Sequence, residues 1–376
     1  MTDDIQTLII GAGVVGLACA AALADSGREV LVLERNTVIG EETSARNSGV
    51  VHAGIYYPPG SAKARLCVAG KERIYAYCKA RGVPVKRTGK LIAATNEQDV
   101  ATLGELIRRG HANGVTDLAL LDGAEALALE PELRCLAAIH SPSTGILDTH
   151  QLMLALLGEL ESLGGMVSLG SRVNSLTIDA GSGTGHRVTV GTGRTRLALN
   201  AREIVNCAGL QAVPLARGAD GSDGHGLPDA FYTRGNYFRI SGRSPFSHLV
   251  YPVPEPGGLG IHLTVDMAGT ARFGPDVESV DGPGAGYAVD ARRAGRFYAS
   301  IRRYWPALPD GALLPDYAGI RPKIRRPGRQ DMDFEILGRD HHGVPGLVHC
   351  LGIESPGLTS CLAIADEVVR QLGTSS

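Results

Sequence analysis

GAGVVG, residues 11–16, follows directly on the apolar run TLII (7–10) and opens into VVGLACAAALADSG, whose small residues suit a closely packed helix. REVLVLE then supplies a second apolar run ending on Glu34. This order of strand, glycine turn, helix, strand and terminal acid constrains the fold more than any other part of the chain. Gly11 permits a tight turn, Gly13 lets a pyrophosphate approach the backbone, and Gly16 lets helix and strand pack closely. The helix N-terminus stabilises phosphate charge. Glu34 is placed to accept both ribose hydroxyls, and its charge repels a 2′-phosphate. The pattern predicts a Rossmann-like dinucleotide unit without choosing between NAD and FAD.

Later segments point to FAD. LDTHQLMLALLGELESLGGMV (147–167) reads as a helix with Leu152, Leu156, Leu160 and Leu163 on one face. A strand through Val167 and then SRVNSLTID follow, the latter placing Val173 against an adenine. REIVNCAGLQA is another strand, ending at Ala208-Gly209, where a larger side chain would obstruct a nucleotide. GIESPGLTSCLAIADEVVRQL reads as a helix with Ser355 as N-cap and Pro356 at its first position. Its first-turn amides, at Gly357, Leu358 and Thr359, suit the negative charge that reduced flavin carries near N1 and the C2 oxygen. A chain that leaves a dinucleotide fold and returns to it is organised as a discontinuous FAD domain.

The intervening segments, including GKLIAATNEQD, LAAIHSPSTG, RGNYFRI, HLVYPVP and GTARFGPD, read as short strands separated by Gly and Pro turns. AGSGTGHRV (180–188) and GADGSDGHG (218–226) read as loops. The expected fold class is α/β: a Rossmann-like FAD-binding domain with an α+β substrate domain built on an antiparallel sheet. The FAD-binding parts are expected at 1–84, 143–215 and 326–376, and the substrate domain at 85–142 and 216–325.

The formal net charge of -2 leaves no electrostatic footprint for nucleic acid or anionic lipid. The seven cysteines form no CxxC pair, and His341-His342 lacks ligand spacing, so neither a disulfide framework nor a metal is expected. No secretion-signal pattern or run of about twenty apolar residues is present. The expected location is cytoplasmic, or peripheral at the inner membrane.

SGVVHAGIYYPP (48–59) sets one imidazole, His52, in an apolar and sterically small segment that Pro58-Pro59 closes to helix. A histidine so placed is either satisfied in the core or exposed to a reacting centre. Its place just after RNSG favours the second if that segment contacts a flavin.

Together the glycine fingerprint, SARNSGVVHAGIYYPPGSAKARLC and LGIESPGLTSCLAIADEVV resemble the D-amino-acid-oxidase-type FAD oxidoreductases, and within them the L-2-hydroxyglutarate dehydrogenases and oxidases. The likeness runs nearly end to end, with a looser middle. Members often have Arg-Gly-Glu-Tyr-Tyr where this chain has Arg234-Gly235-Asn236-Tyr237-Phe238. The resemblance implies FAD contacts at Gly11, Gly13, Gly16, Glu34, Arg35, Ser44, Asn47, Ser48, Gly49, Val173, Ala208, Gly209, Gly357, Leu358 and Thr359. FAD is expected to be held non-covalently. Attachment through His52 is the alternative, since related N-methylglycine dehydrogenases look similar around a flavin-linked histidine.

Oxidation of a 2-hydroxy acid needs a grip on the carboxylate, a base for the hydroxyl proton and an acceptor for hydride. His52 is the expected base. Arg321, in YAGIRPKI, is the expected carboxylate clamp, since guanidinium binds carboxylate through two parallel hydrogen bonds; its bland alternative is a surface ion pair. Tyr57, Lys63, Tyr251 and His262 are expected polar liners, and Tyr56 serves equally well as packing. Two other readings stay open: an amine or amino-acid oxidase, whose neutral amine needs no base, and a flavin-binding protein without turnover. The electron acceptor, whether oxygen, quinone or carrier protein, leaves no mark in the sequence.

Overall fold

In the computed structural model, which describes residues 5–179, 185–191, 196–221, 226–254, 260–329 and 332–373, the TLII run lies at the centre of a parallel sheet. Strand Ile5–Ile10 pairs in parallel with Val30–Leu33 on one side and Leu197–Asn206 on the other. Met166–Ser168 continues the sheet beyond Val30–Leu33, and Leu347–Leu351 pairs in parallel with the end of Leu197–Asn206. Val173–Thr177, His186–Val190 and Glu335–Leu337 add antiparallel edges. The parallel strands are runs of Leu, Ile and Val because both their faces are buried; Leu8, Ile9, Val32, Ile204, Val205 and Val348 are fully buried, and Leu8 and Ile204 pack in one cluster with Leu176, Val188 and Val190 of the antiparallel strands.

Helix Val14–Asp25 buries nine of its twelve residues, so it has no solvent face and packs on the helices Thr149–Ser162 and Gly357–Leu372. Leu152, Leu156 and Leu160 are buried as expected, but the Thr149–Ser162 helix stops short of Leu163, which is exposed. The terminal helix starts one residue later than the cap rule predicts. Pro356 is its N-cap, and Ser355 is exposed and outside it.

Cα packing divides the chain into two compact units. The first is Met1–Ala45, Thr149–Tyr232 and Arg321–Ser376; the second is Arg46–Asp148 and Thr233–Ile320. The first boundary thus falls after Ala45, whereas the sequence pattern places it after residue 84. Residues 46–84 join the second unit because their partners lie there. Val50–Val51 and Val85–Lys86 both pair with Gly145–Leu147. From helix Ala62–Arg81, Lys71 Nζ donates to Ser143 Oγ at 3.2 Å, and the Tyr75 hydroxyl donates to the Ser143 carbonyl at 3.0 Å. The other three boundaries, expected at 142/143, 215/216 and 325/326, fall at 148/149, 232/233 and 320/321.

The second unit is built on a nine-stranded sheet that includes Asp229–Arg239, Ala271–Phe273, Leu263–Val265, Leu249–Pro252, Lys90–Ala94, Ala137–Ser141 and Ala119–Asp122, in that spatial order. Along that order the neighbours are antiparallel except Leu249–Pro252 and Lys90–Ala94, which run parallel. Those two strands belong to separate passes of the chain, so no hairpin dictates their direction. The expected loops at 180–188 and 218–226 lie partly outside the described residues, and His186–Val190 is strand.

None of the seven cysteines is in a disulfide; Cys19, Cys350 and Cys361 are buried in the first unit, and Cys67 and Cys78 in the second. Among the described residues no helix is long and apolar enough to cross a membrane, and no group of three His, Cys, Asp or Glu side chains could hold a metal ion.

Candidate active site

The turn after strand Ile5–Ile10 works as its glycines require. Gly11 has φ +105°, and a Cβ there would stand 2.6 Å from the Cys207 carbonyl oxygen. A Cβ on Gly16 would overlap the Gly11 carbonyl oxygen, so helix and turn touch backbone to backbone. Ser44 closes over the helix start. Its Oγ accepts from the Val14 amide at 3.0 Å and stands 3.0 Å from where a Gly13 Cβ would be. Buried Glu34 reaches back to the turn, accepting from the Ala12 amide at 2.8 Å and the Asn36 amide at 2.9 Å. These amides orient the carboxylate, and each oxygen keeps a lone pair for a ribose hydroxyl. Arg35, the next residue, is engaged in an ion pair with Glu42.

Two further segments of the first unit fit a dinucleotide. Asn206 accepts from the Ala208 amide at 3.2 Å, donates to the Ala212 carbonyl at 2.8 Å and lies 3.1 Å from His349 Nδ1. Burial pushes the His349 imidazole down to about 3, so it is neutral and can accept from that amide. This framework holds Gly209 at φ +53°, where an added Cβ would meet nothing within 4 Å among the described residues beyond its chain neighbours. Helix Gly357–Leu372 begins without a side-chain cap; the Gly357 amide donates to the Glu354 carbonyl, with Leu358 half-buried and Thr359 buried beyond it. Val173 is the half-buried first residue of its strand. Backbone cradle, oriented carboxylate and uncapped helix make a donor set that fits FAD.

In the second unit the segment 46–52 is clamped from both sides. Asn47 Oδ1 accepts from the Gly49 amide at 2.7 Å, and its carbonyl accepts from the Tyr317 hydroxyl at 2.8 Å. Tyr317 stacks on Tyr237 with ring centroids 4.5 Å apart. A Cβ at Gly319 would overlap the Arg46 carbonyl oxygen, and one at Gly49 (φ +66°) would stand 2.9 Å from the Leu147 carbonyl oxygen. Ser48 lies half-buried between these anchors. His52 follows strand Val50–Val51, buried to 9 % exposure, with its carbonyl accepting from Cys67 Sγ at 3.4 Å.

The expected liners separate into two groups. Tyr251 and His262 come together, their rings stacked 3.9 Å apart at 15°. Lys63 is buried in the first turn of its helix, and Tyr57 is half-buried with its carbonyl accepting from Asn113 Nδ2 at 2.9 Å. Sequence reasoning missed Lys90, whose ammonium lies over the rings of Tyr56 at 4.6 Å and Tyr251 at 4.8 Å. Arg321, in the first unit, is half-buried, and among the described residues its guanidinium makes no ion pair or hydrogen bond.

A family model described as FAD dependent oxidoreductase matches residues 6–371. This chain is a member of that family. FAD is therefore its cofactor, and the protein is an oxidoreductase. It is 44 % identical to the mitochondrial L-2-hydroxyglutarate dehydrogenase of Arabidopsis thaliana, over 98 % of this chain and 83 % of that one. The corresponding protein of Nematostella vectensis is 36 % identical, covering 97 % and 89 %. Among solved structures, the FAD-bound L-alpha-glycerophosphate oxidase of Mycoplasma pneumoniae superposes with a TM-score of 0.89 at 26 % identity, covering 98 % and 95 %.

The departure at Asn236 has a local explanation. Its Nδ2 donates to Asp276 at 2.9 Å and to Glu278 at 3.2 Å, and its own amide donates to Asp276 at 3.0 Å. A carboxylate in its place would face two others. Arg234 pairs with Glu278 and Arg293 with Asp276, so the segment is structural polar packing in this chain.

Proposed function

We propose that this FAD-dependent oxidoreductase converts L-2-hydroxyglutarate, or a close 2-hydroxy acid, into the corresponding 2-oxo acid. The carrying observation is 44 % identity across 98 % of the chain to a dehydrogenase of that name. Bound FAD supplies the two-electron acceptor for hydride leaving C2. We assign its binding to Gly11, Gly13, Gly16, Glu34, Ser44, Val173, Ala208, Gly209 and Gly357 to Thr359, and to Asn47, Ser48 and Gly49. Arg35, paired with Glu42, acts by orienting that turn.

Arg321 binds the C1 carboxylate, since a half-buried guanidinium without a counter-ion among the described residues favours an anionic ligand. His52 takes the hydroxyl proton. The C2–H bond gives its electron pair as hydride, the O–H pair becomes the new carbonyl bond, and the proton ends on imidazole. Imidazole is the side chain best matched to proton transfer near neutral pH. Its backbone is held by the Cys67 thiol and by the strand before it, which limits ring movement. Tyr57, Lys63, Tyr251 and His262 line the substrate.

Anaerobic mixing of the FAD-loaded protein with L-2-hydroxyglutarate tests the reading: the yellow absorbance should bleach, and bleaching by amino acids alone would overturn it. His52→Ala should slow bleaching on the order of 10²–10⁴-fold with FAD retained; an unchanged rate removes His52 as base. Arg321→Leu should weaken substrate binding on the order of 100-fold with FAD retained, and unaltered affinity would refute the clamp.

A further inference from the structure

Lys90 opens strand Lys90–Ala94 at the parallel junction of the second sheet and is only 1 % exposed. Lysine is almost never this buried without a partner. Register sets it on the same face as Tyr251, since Leu249 pairs with Lys90 and Tyr251 with Ile92. The ammonium therefore lies between two aromatic faces, Tyr56 and Tyr251, and Tyr251 in turn stacks on His262. Among the described residues no carboxylate lies within ion-pair distance of it. Two rings only partly offset the desolvation of an ammonium, and burial pulls its proton affinity down to about 7. A methionine would fill the same space without that cost.

Two neighbours share the mismatch. The Tyr56 hydroxyl is buried and has no hydrogen-bond partner among the described residues. Cys67, whose thiol donates to the His52 carbonyl, is close enough to feel the Lys90 charge, although burial dominates and pushes the thiol up to about 12. The unmatched donors are thus one side chain removed from the backbone of the proposed base, beside two of the proposed liners. A buried cation without a carboxylate and a buried hydroxyl without a hydrogen-bond partner among the described residues are what an anionic oxygen would satisfy.

We propose that Lys90, with the Tyr56 hydroxyl beside it, receives the distal carboxylate of a dicarboxylic 2-hydroxy acid and thereby selects for substrates with a second acid group. This rests on the reading above for the acid's oxidation, but not for its binding.

The test uses FAD-loaded protein and two hydroxyl-free probes, glutarate and butyrate, titrated by perturbation of the flavin spectrum. The wild-type protein should bind glutarate at least tenfold more tightly than butyrate, and Lys90→Met should lose most of that preference. Tyr56→Phe, which deletes one oxygen and covers the case of a Lys90 variant that fails to fold, should weaken glutarate about threefold to tenfold. Lys90→Arg should retain part of the preference, as a merely space-filling lysine would not require. An undiminished glutarate preference in folded, yellow Lys90→Met overturns the assignment, as does a wild-type protein without one. Failure of the oxidation reading has a different signature: glutarate binds with the expected preference, yet no 2-hydroxy acid bleaches the flavin.

Discussion

In the first unit the groups that suit a dinucleotide are backbone: the glycine turn, the amides that orient Glu34 and the uncapped helix at Gly357. In the second unit the distinctive groups are buried polar side chains, among them His52, Lys90, Glu130 and Asn236. Backbone recognition tolerates no extra atom but needs little electrostatic compensation. Buried side chains tolerate shape changes better, and each must find a partner or remain costly. Steric damage should therefore dominate in the first unit and broken pairing in the second.

The largest effect is expected from Gly16→Ala. Alanine is intrinsically the better helix former by about 1 kcal/mol, but its Cβ would overlap the Gly11 carbonyl, and neither backbone can move without opening the turn. The expected outcome is a colourless protein, read by flavin absorbance after purification. A yellow protein with wild-type FAD content would break the contrast.

Glu130→Ala comes next. Burial opposes ionisation of Glu130, yet bonds from the His248 ring and amide and the Ser247 hydroxyl and amide win and hold its carboxyl below the usual range. Truncation should cost about 3 kcal/mol, measured by denaturant titration. Because the folded value is depressed, this stabilisation is complete above the unfolded carboxyl value and lost as pH falls through the folded one. The gap between wild type and variant should accordingly close in acid; a constant gap would mean that the charge is irrelevant.

The smallest effect is expected from Glu34→Gln. The amide still accepts from one backbone N–H but loses charge-assisted bonding to ribose, so FAD should bind roughly tenfold more weakly. Equilibrium FAD titration measures it, and a loss as complete as that from Gly16→Ala would show that side chains govern the first unit too.

This contrast also explains what could be read in advance. The glycine turn, Glu34 and the strands around them are contiguous signals, each interpretable within some twenty residues. His52 stood out for the same reason, as a lone imidazole three residues after RNSG, and it is buried. Lys90 was not, because a lysine at the head of KLIAA looks like the solvent end of a strand until Leu249–Pro252 pairs beside it. Tyr317 clamps Asn47 from 270 residues away, and Glu130 meets Ser247 across 117. The boundary at Ala45 escaped because Val50–Val51 finds its partner only at Gly145–Leu147. Ser355 misled the cap rule by a single position, since the chain turns at Pro356.

The buried thiols give each unit its own clock. Cys19, Cys350 and Cys361 belong to one unit, and Cys67 and Cys78 to the other. A thiol modifies only when its surroundings open, so alkylation followed peptide by peptide would time the opening of each unit separately, without an introduced label.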